Sequence, residues 1–238
     1  MMVGKMSDSS PDIILALDLE NREQINQVLQ KTGDRLNWVK VGLQSFLREG
    51  KALVHELADS GKNIFLDLKL HDIPNTMAKA LESLSELPVG MITLHAGAGP
   101  EALARCSQFA RENIPNVTLL GVTVLTSTNQ QGLEAVGVKD PIEDQVLRLA
   151  QLAVDQGIGG IVCSPLELPR LRQALPSSIT LVTPGIRPAN ADTGDQKRIM
   201  TPRQAKLAGA NYLVIGRPIL AAADPEMALD SILEELSD

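Results

Sequence analysis

Aromatic side chains make up only 2% of this 238-residue chain, which has three Phe, one Trp and one Tyr. So few rings cannot build a row of base-stacking platforms, and the core must be filled by Leu, Ile, Val and Ala. A basic excess is missing too: 22 Lys and Arg stand against 29 Asp and Glu, for a formal net charge of −7. Nucleic-acid surfaces show a basic stripe, so that class of partner is excluded, and an anionic ligand must be met by a local cluster of cations. Cysteine is nearly absent. Cys106 and Cys163 lie far apart, in neither a C-x-x-C nor a zinc spacing, which predicts free thiols and no metal at either. No stretch approaches the roughly 20 apolar residues of a membrane helix. Residues 1–11 are polar, without the apolar core of a signal peptide. The expectation is a cytoplasmic protein with no membrane contact, in which 1–11 is a flexible tail and 12–238 is a single domain.

Short apolar runs alternating with helical patterns dominate the rest. The runs are 12–17 (DIILAL), 38–42 (WVKVG), 63–68 (NIFLDL), 91–95 (MITLH), 117–124 (VTLLGVTV), 160–163, 179–183 and 211–215 (NYLVI). Runs this continuous suit parallel strands buried on both faces. About eight strand-and-helix units, with the polar residues following strands, predict an α/β fold, the (β/α)₈ TIM barrel. Function then belongs at the C-terminal face of the strands.

The stretch 65–76, FLDLKLHDIPNT, takes on charge as its strand ends. Strand alternation puts Asp67 and Lys69 on one side with Phe65, and Ile64, Leu66 and Leu68 opposite. Pro74 then suits the first turn of a helix. A lone D-x-K is ordinarily a surface ion pair, but charges entering so apolar a strand mark a site at its C-terminal end. Lys40 interrupts the second run, and lysine is rarely buried without a partner; it lies either on a solvated face or against a carboxylate or ligand at the barrel mouth. Asp18 follows the first run as a site residue or as a loop and capping aspartate. His95 ends the fourth, orienting a neighbour or serving structure alone. Thr126, Ser127 and Thr128 crowd one rim, as ligand contacts or as turn formers.

Residues 184–200, PGIRPANADTGDQKRIM, form a connection longer than the usual span of about 2 to 6 residues. Such loops are commonly lids or binding loops, and this one holds Arg187 and Gln196. After the last run come Gly216, Arg217 and Pro218. Glycine admits close backbone approach, a helix start favours an anion, and Arg217 adds charge, which predicts a phosphate site.

The D-x-K-x-x-D of Asp67, Lys69 and Asp72 within FLDLKLHDIPNT closely resembles the signature of the orotidine 5'-phosphate decarboxylase family, in its bacterial type. The resemblance extends along nearly the whole chain and leaves only the N-terminal tail unmatched. It implies decarboxylation of orotidine 5'-monophosphate to uridine 5'-monophosphate in pyrimidine synthesis, with no cofactor and no metal. By the same resemblance Lys69 donates a proton to C6 of the pyrimidine and Asp67 stands beside it. Asp72 enters the active site of the other subunit of a homodimer, and Lys40 completes an alternating row of charges that touches ribose and reacting centre. Asp18 binds ribose, Ile73 and Thr76 contact substrate, and Thr126 reads the pyrimidine edge. Gln196 bridges phosphate and base, while Arg187, Gly216 and Arg217 grip the phosphate.

Two rival readings share part of this pattern. The 3-keto-L-gulonate 6-phosphate decarboxylases and hexulose phosphate synthases, a related barrel family with D-x-K-x-x-D, bind magnesium around an acidic group on the second strand, where this chain offers Lys40. A non-catalytic phosphate-binding barrel needs Gly216 and Arg217 but no charged row.

Overall fold

The apolar runs become eight parallel strands in a closed barrel, each paired with its neighbour in sequence and the last with the first. The structure, a computed structural model, describes residues 10–188 and 198–237. Its elements run β1 (Asp12–Ala16), α1 (Arg22–Thr32), β2 (Trp38–Gly42), α2 (Leu43–Asp59), β3 (Asn63–Leu70), α3 (Pro74–Leu84), β4 (Met91–His95) and α4 (Pro100–Asn113). They continue as β5 (Thr118–Val122), α5 (Gln130–Ala135), α6 (Ile142–Asp155), β6 (Gly160–Val162), α7 (Leu168–Ala174), β7 (Thr180–Thr183), α8 (Pro202–Leu207), β8 (Tyr212–Ile215), α9 (Arg217–Leu220) and α10 (Pro225–Ser237).

Two apolar layers hold these elements. A large shell between strands and helices is almost wholly aliphatic. A smaller plug inside the barrel is built from Ile14, Ala16, Phe65, Met91, Leu120, Val182 and Val214. Below the plug, at the N-terminal ends of β2 and β8, Trp38 meets Tyr212 edge to face, with ring centroids 5.5 Å apart. Gly90 leaves room for that indole, since a Cβ there would come within 2.6 Å of it. Three of the five aromatics, Trp38, Tyr212 and Phe65, are therefore spent on closing the floor and filling the axis, while Phe46 and Phe109 pack on the outer shell.

Local signals account for most helix starts. Asn21 caps α1 by accepting the Gln24 N–H at 2.9 Å, and Pro74 opens α3. The six-residue α5 was not anticipated. It is capped by Asn129 and buries only Leu133, so it shows no periodic apolar stripe.

The main departure from simple alternation is in β3. Phe65 pairs with Met91 and Leu66 with Ile92, but Leu70 pairs with Leu94, so residues 67–69 all stand opposite Thr93. Such a bulge bends its strand and re-aims side chains.

Inside the barrel, Gly160 has no space for a methyl group: a Cβ would lie 2.5 Å from Leu120 and 2.9 Å from the Thr180 carbonyl, which is backbone and cannot yield. Gly160→Ala should destabilise the protein by about 1–3 kcal/mol, read as a lower denaturation midpoint; an unchanged midpoint would show that the axis is looser than this packing implies.

Candidate active site

Three strand ends bring a row of alternating charges to the barrel mouth. Lys40 projects from β2 and is 8% exposed; its ammonium donates to Asp18 beyond β1 at 3.0 and 3.3 Å and lies 3.5 Å from Asp67. Asp67, also 8% exposed, accepts from the Lys69 ammonium at 2.8 Å through both oxygens. The position of Asp18 is set by its neighbour Leu17, whose carbonyl accepts the buried Ser45 hydroxyl at 2.7 Å and whose N–H donates to the Lys40 carbonyl at 3.0 Å. Lys40 faces carboxylates at the mouth, and Asp18 is its partner.

Burial alone would raise the Asp67 carboxyl. The ammonium groups of Lys40 and Lys69, with hydrogen bonds from Lys69 and Thr93, outweigh burial and hold it below the usual carboxylate range.

The row lines a cavity of about 490 Å³. Phe65 and Val214 of the plug line it too, and its far wall carries Thr126 and Ser127 from the loop after β5. Arg187, from the loop after β7, and Gly216 with Arg217, at the end of β8, also border it. In an eight-stranded ring β7 stands opposite β3, so Arg187 comes from the side of the mouth across from Asp67 and Lys69, whereas β8, which Arg217 follows, adjoins β1. The loops after the last two strands are where barrels of this kind bind phosphate.

Not every expected residue reaches this cavity. Asp72, Ile73 and Thr76 are exposed and outside its lining; Ile73 is 66% exposed, and the Asp72 carboxylate accepts the Ile73 N–H at 2.7 Å. Thr128 is outside the lining as well, its N–H closing a turn on the Leu125 carbonyl at 2.9 Å. Gln196 falls outside the described residues. His95 is half-buried beside the His71 ring, centroids 5.2 Å apart, and does not line the cavity. Burial first, then the neighbouring His71 and Lys69, lower its pKa.

The model of the Orotidine 5'-phosphate decarboxylase / HUMPS family matches residues 11–232. The chain belongs to this family. An Orotidine 5'-phosphate decarboxylase of Opitutus terrae is 52% identical over 225 residues, covering 94% of this chain and 98% of that one. Its counterpart in Pseudomonas putida is 45% identical over 232 residues, covering 97% and 99%. Among solved structures, the Orotidine 5'-phosphate decarboxylase from Lactobacillus acidophilus superimposes with a TM-score of 0.84 at 37% identity, over 97% of this chain and all of that one.

Two residues that support this family member's charged row went unnoticed in the sequence. The Thr93 hydroxyl, wholly buried on β4, donates to Asp67 at 3.0 Å and accepts the Lys69 N–H at 2.9 Å. That N–H is offered by a strained backbone: Lys69 has φ +53°, the only non-glycine residue with positive φ among the described residues. Such a conformation costs about 1–3 kcal/mol and persists only where its surroundings enforce it. Gly42, the last residue of β2, gives the row its space, because a Cβ would fall 2.7 Å from Asp18 Oδ1 and 2.8 Å from Lys40 Nζ. Thr93 did carry a faint signal, as a hydroxyl inside the apolar run MITLH.

Because Asp67 titrates lower in the fold than the unfolded value of about 3.9, its contribution to stability is complete above that pH and lost as pH falls through the folded pKa. Thr93→Val removes one hydrogen bond to the carboxylate and strands the Lys69 N–H. It should raise the Asp67 pKa and cost about 1–3 kcal/mol at neutral pH. Thr93→Ser should stay near the parent, with NMR titration of the carboxyl as the check; identical titrations for parent and valine variant would remove Thr93 from the row.

Proposed function

We propose that the protein is a carboxy-lyase that converts orotidine 5'-monophosphate to uridine 5'-monophosphate, with Lys69 as the proton donor. The observation that carries this reading is the Lys69 ammonium, held 2.8 Å from both oxygens of a buried carboxylate at the wall of a nucleotide-sized cavity. Family membership and relatives named for the reaction support it.

The reaction breaks the bond from C6 to the carboxylate and leaves its electron pair on a ring carbon that delocalises it poorly. A preorganised cation stabilises that charge as it develops, and Lys69 is placed to supply it. Its proton then passes to C6, carbon dioxide leaves, and the neutral amine recovers a proton from solvent. Asp67 fixes the ammonium and places negative charge near the departing carboxylate. Lys40 and Asp18 hold the ribose, and Thr126 reads the pyrimidine edge. Arg187, Gly216 and Arg217 take the phosphate, whose remote binding energy is available to the chemical step. The same reading gives Gln196 a bridge between phosphate and base.

The magnesium-dependent members of the wider family are the rival. Here the second strand carries Lys40, whose ammonium sits between Asp18 and Asp67 and would repel a divalent ion. The charged row likewise exceeds what a phosphate-binding barrel without catalysis needs.

We infer also a homodimer. The segment 72–76 supplies three of the residues expected at the substrate, yet Asp72, Ile73 and Thr76 turn outward from their own cavity. Reaching a partner's cavity reconciles exposure with role. No helix among the described residues is long and apolar enough to cross a membrane, and the reading places the enzyme in the cytoplasm.

Chelator-treated protein should consume orotidine 5'-monophosphate and release carbon dioxide, and Lys69→Ala should lose turnover by at least about 10⁴-fold while keeping its fold. Turnover restored only by magnesium, on a sugar phosphate, would favour the rival. Specific activity should fall on dilution in step with the loss of dimer mass; a fully active monomer would refute the shared site.

A further inference from the structure

Behind the far wall of the cavity lies a second buried ion pair that the chemistry above does not use. Glu167, 4% exposed, sits in the 3₁₀ turn after β6 (Pro165–Glu167), and one of its oxygens accepts the Ser164 N–H at 2.8 Å. The other oxygen pairs with Arg198 Nη1. Arg198 Nη2 donates to the carbonyls of Val124 and Leu125 at 3.3 and 3.1 Å. The Leu125 carbonyl also accepts the Thr128 N–H, closing the turn 125–128 whose two central residues, Thr126 and Ser127, line the cavity. Two residues beyond Arg198, Met200 bridges to Ile186, and its carbonyl accepts the Arg187 N–H at 2.9 Å. One carboxylate and one guanidinium thus tie together the loops after β5, β6 and β7, and two of those loops carry proposed substrate contacts.

We propose that Glu167, acting through Arg198, is a positioning residue for the proposed decarboxylation: it fixes the turn 125–128, and with it the Thr126 and Ser127 rim against which the base is held. The inference rests on the reading given under Proposed function. Its competitor is a pair that serves stability alone, since many buried ion pairs can be replaced without loss.

The two alternatives separate by pH. Burial dominates at Glu167 and pushes its carboxyl up to about 7, against the attraction of Arg198 and the Ser164 N–H and with added repulsion from Glu143 of α6. The buried Cys163 thiol is a further titratable neighbour, itself raised by burial first and by Glu167 next. A carboxyl raised above its unfolded value of about 4.3 stabilises the fold while protonated. That contribution is full below the unfolded pKa and is lost as pH rises to about 7. The tether to Arg198 runs the other way, complete only once Glu167 is ionised. Between these limits stability and substrate capture should move in opposite directions, whereas a purely structural pair moves stability alone.

The test compares KM and kcat for orotidine 5'-monophosphate, and Tm, in the full chain and in Glu167→Gln, from roughly pH 5.5 to 8.5. The substrate phosphate titrates near 6 in both, so the difference between the two profiles is the readout. The parent KM should fall by about tenfold toward the alkaline end, with kcat changing less, as charge-assisted bonds form. Glu167→Gln should keep only the change in KM that the phosphate titration imposes, without the additional alkaline gain of the parent, and should lose the Glu167 contribution to the pH dependence of stability. Arg198→Lys, which keeps the charge without the fork, should raise KM with Tm near the parent, and it replaces the glutamine variant should that one fail to fold. Superimposable KM profiles, or variants that differ from the parent in Tm alone, would overturn the proposal. Calorimetric affinity for uridine 5'-monophosphate, measured in parallel, needs no turnover. A parent that binds this nucleotide but does not decarboxylate refutes the function, while its affinity profile against Glu167→Gln still decides the positioning role.

Discussion

A carboxylate buried between two ammonium groups governs the mouth of this barrel. Asp67 would be costly alone at that depth, and so would Lys40; each is tolerated because the other is there. Around that mutual dependence several features that look like defects in isolation become requirements. Gly42 leaves a gap where the ions meet, Thr93 spends a buried hydroxyl on two partners, and Lys69 accepts a left-handed backbone so that its long side chain can turn back onto Asp67. Breaking such a pair from one side leaves an uncompensated charge, worth about 3–5 kcal/mol, so on the proposed reading the fold and the chemistry depend on the same atoms.

The opposite half of the mouth is built on another plan. From β5 to β8 the contacts come from loops rather than strand interiors, and their placement depends on hydrogen bonds to backbone carbonyls. Rigid charges on one side and tethered loops on the other suit a ligand with one reactive end and one end needed only for binding. On the proposed reading the strands define where the reacting atoms lie, and the loops how firmly the remainder is held there.

How far the sequence revealed this differs between the two halves. The barrel could be read because each strand is a short apolar run with polar residues at one end, a pattern that survives errors of a residue or two at element boundaries. The meeting of Asp67 and Lys69 was also expected, but on the argument of strict alternation, and the strand does not alternate there: three residues face Thr93. Nothing in a lysine announces a positive φ. Lys40 and Asp18 stayed ambiguous because they are 22 residues apart, and their pairing exists only once β1 and β2 lie side by side. Glu167 and Arg198, 31 residues apart on different loops, gave no sign of one another. Asp72, Ile73 and Thr76 entered through family resemblance, and the fold of one chain leaves them facing outward.

The floor of the barrel gives the molecule a property that its sparse aromatic content makes unusually clean. Trp38 is the only indole in the chain, and it lies against Tyr212 beneath the apolar plug, outside the cavity lining. Its emission therefore reports whether the closed end of the barrel is shut, while a nucleotide arriving at the open end touches no indole. Denaturation can be followed optically in the presence of ligand without the two signals mixing, so the molecule carries a spectroscopic probe of its own integrity, separate from its chemistry.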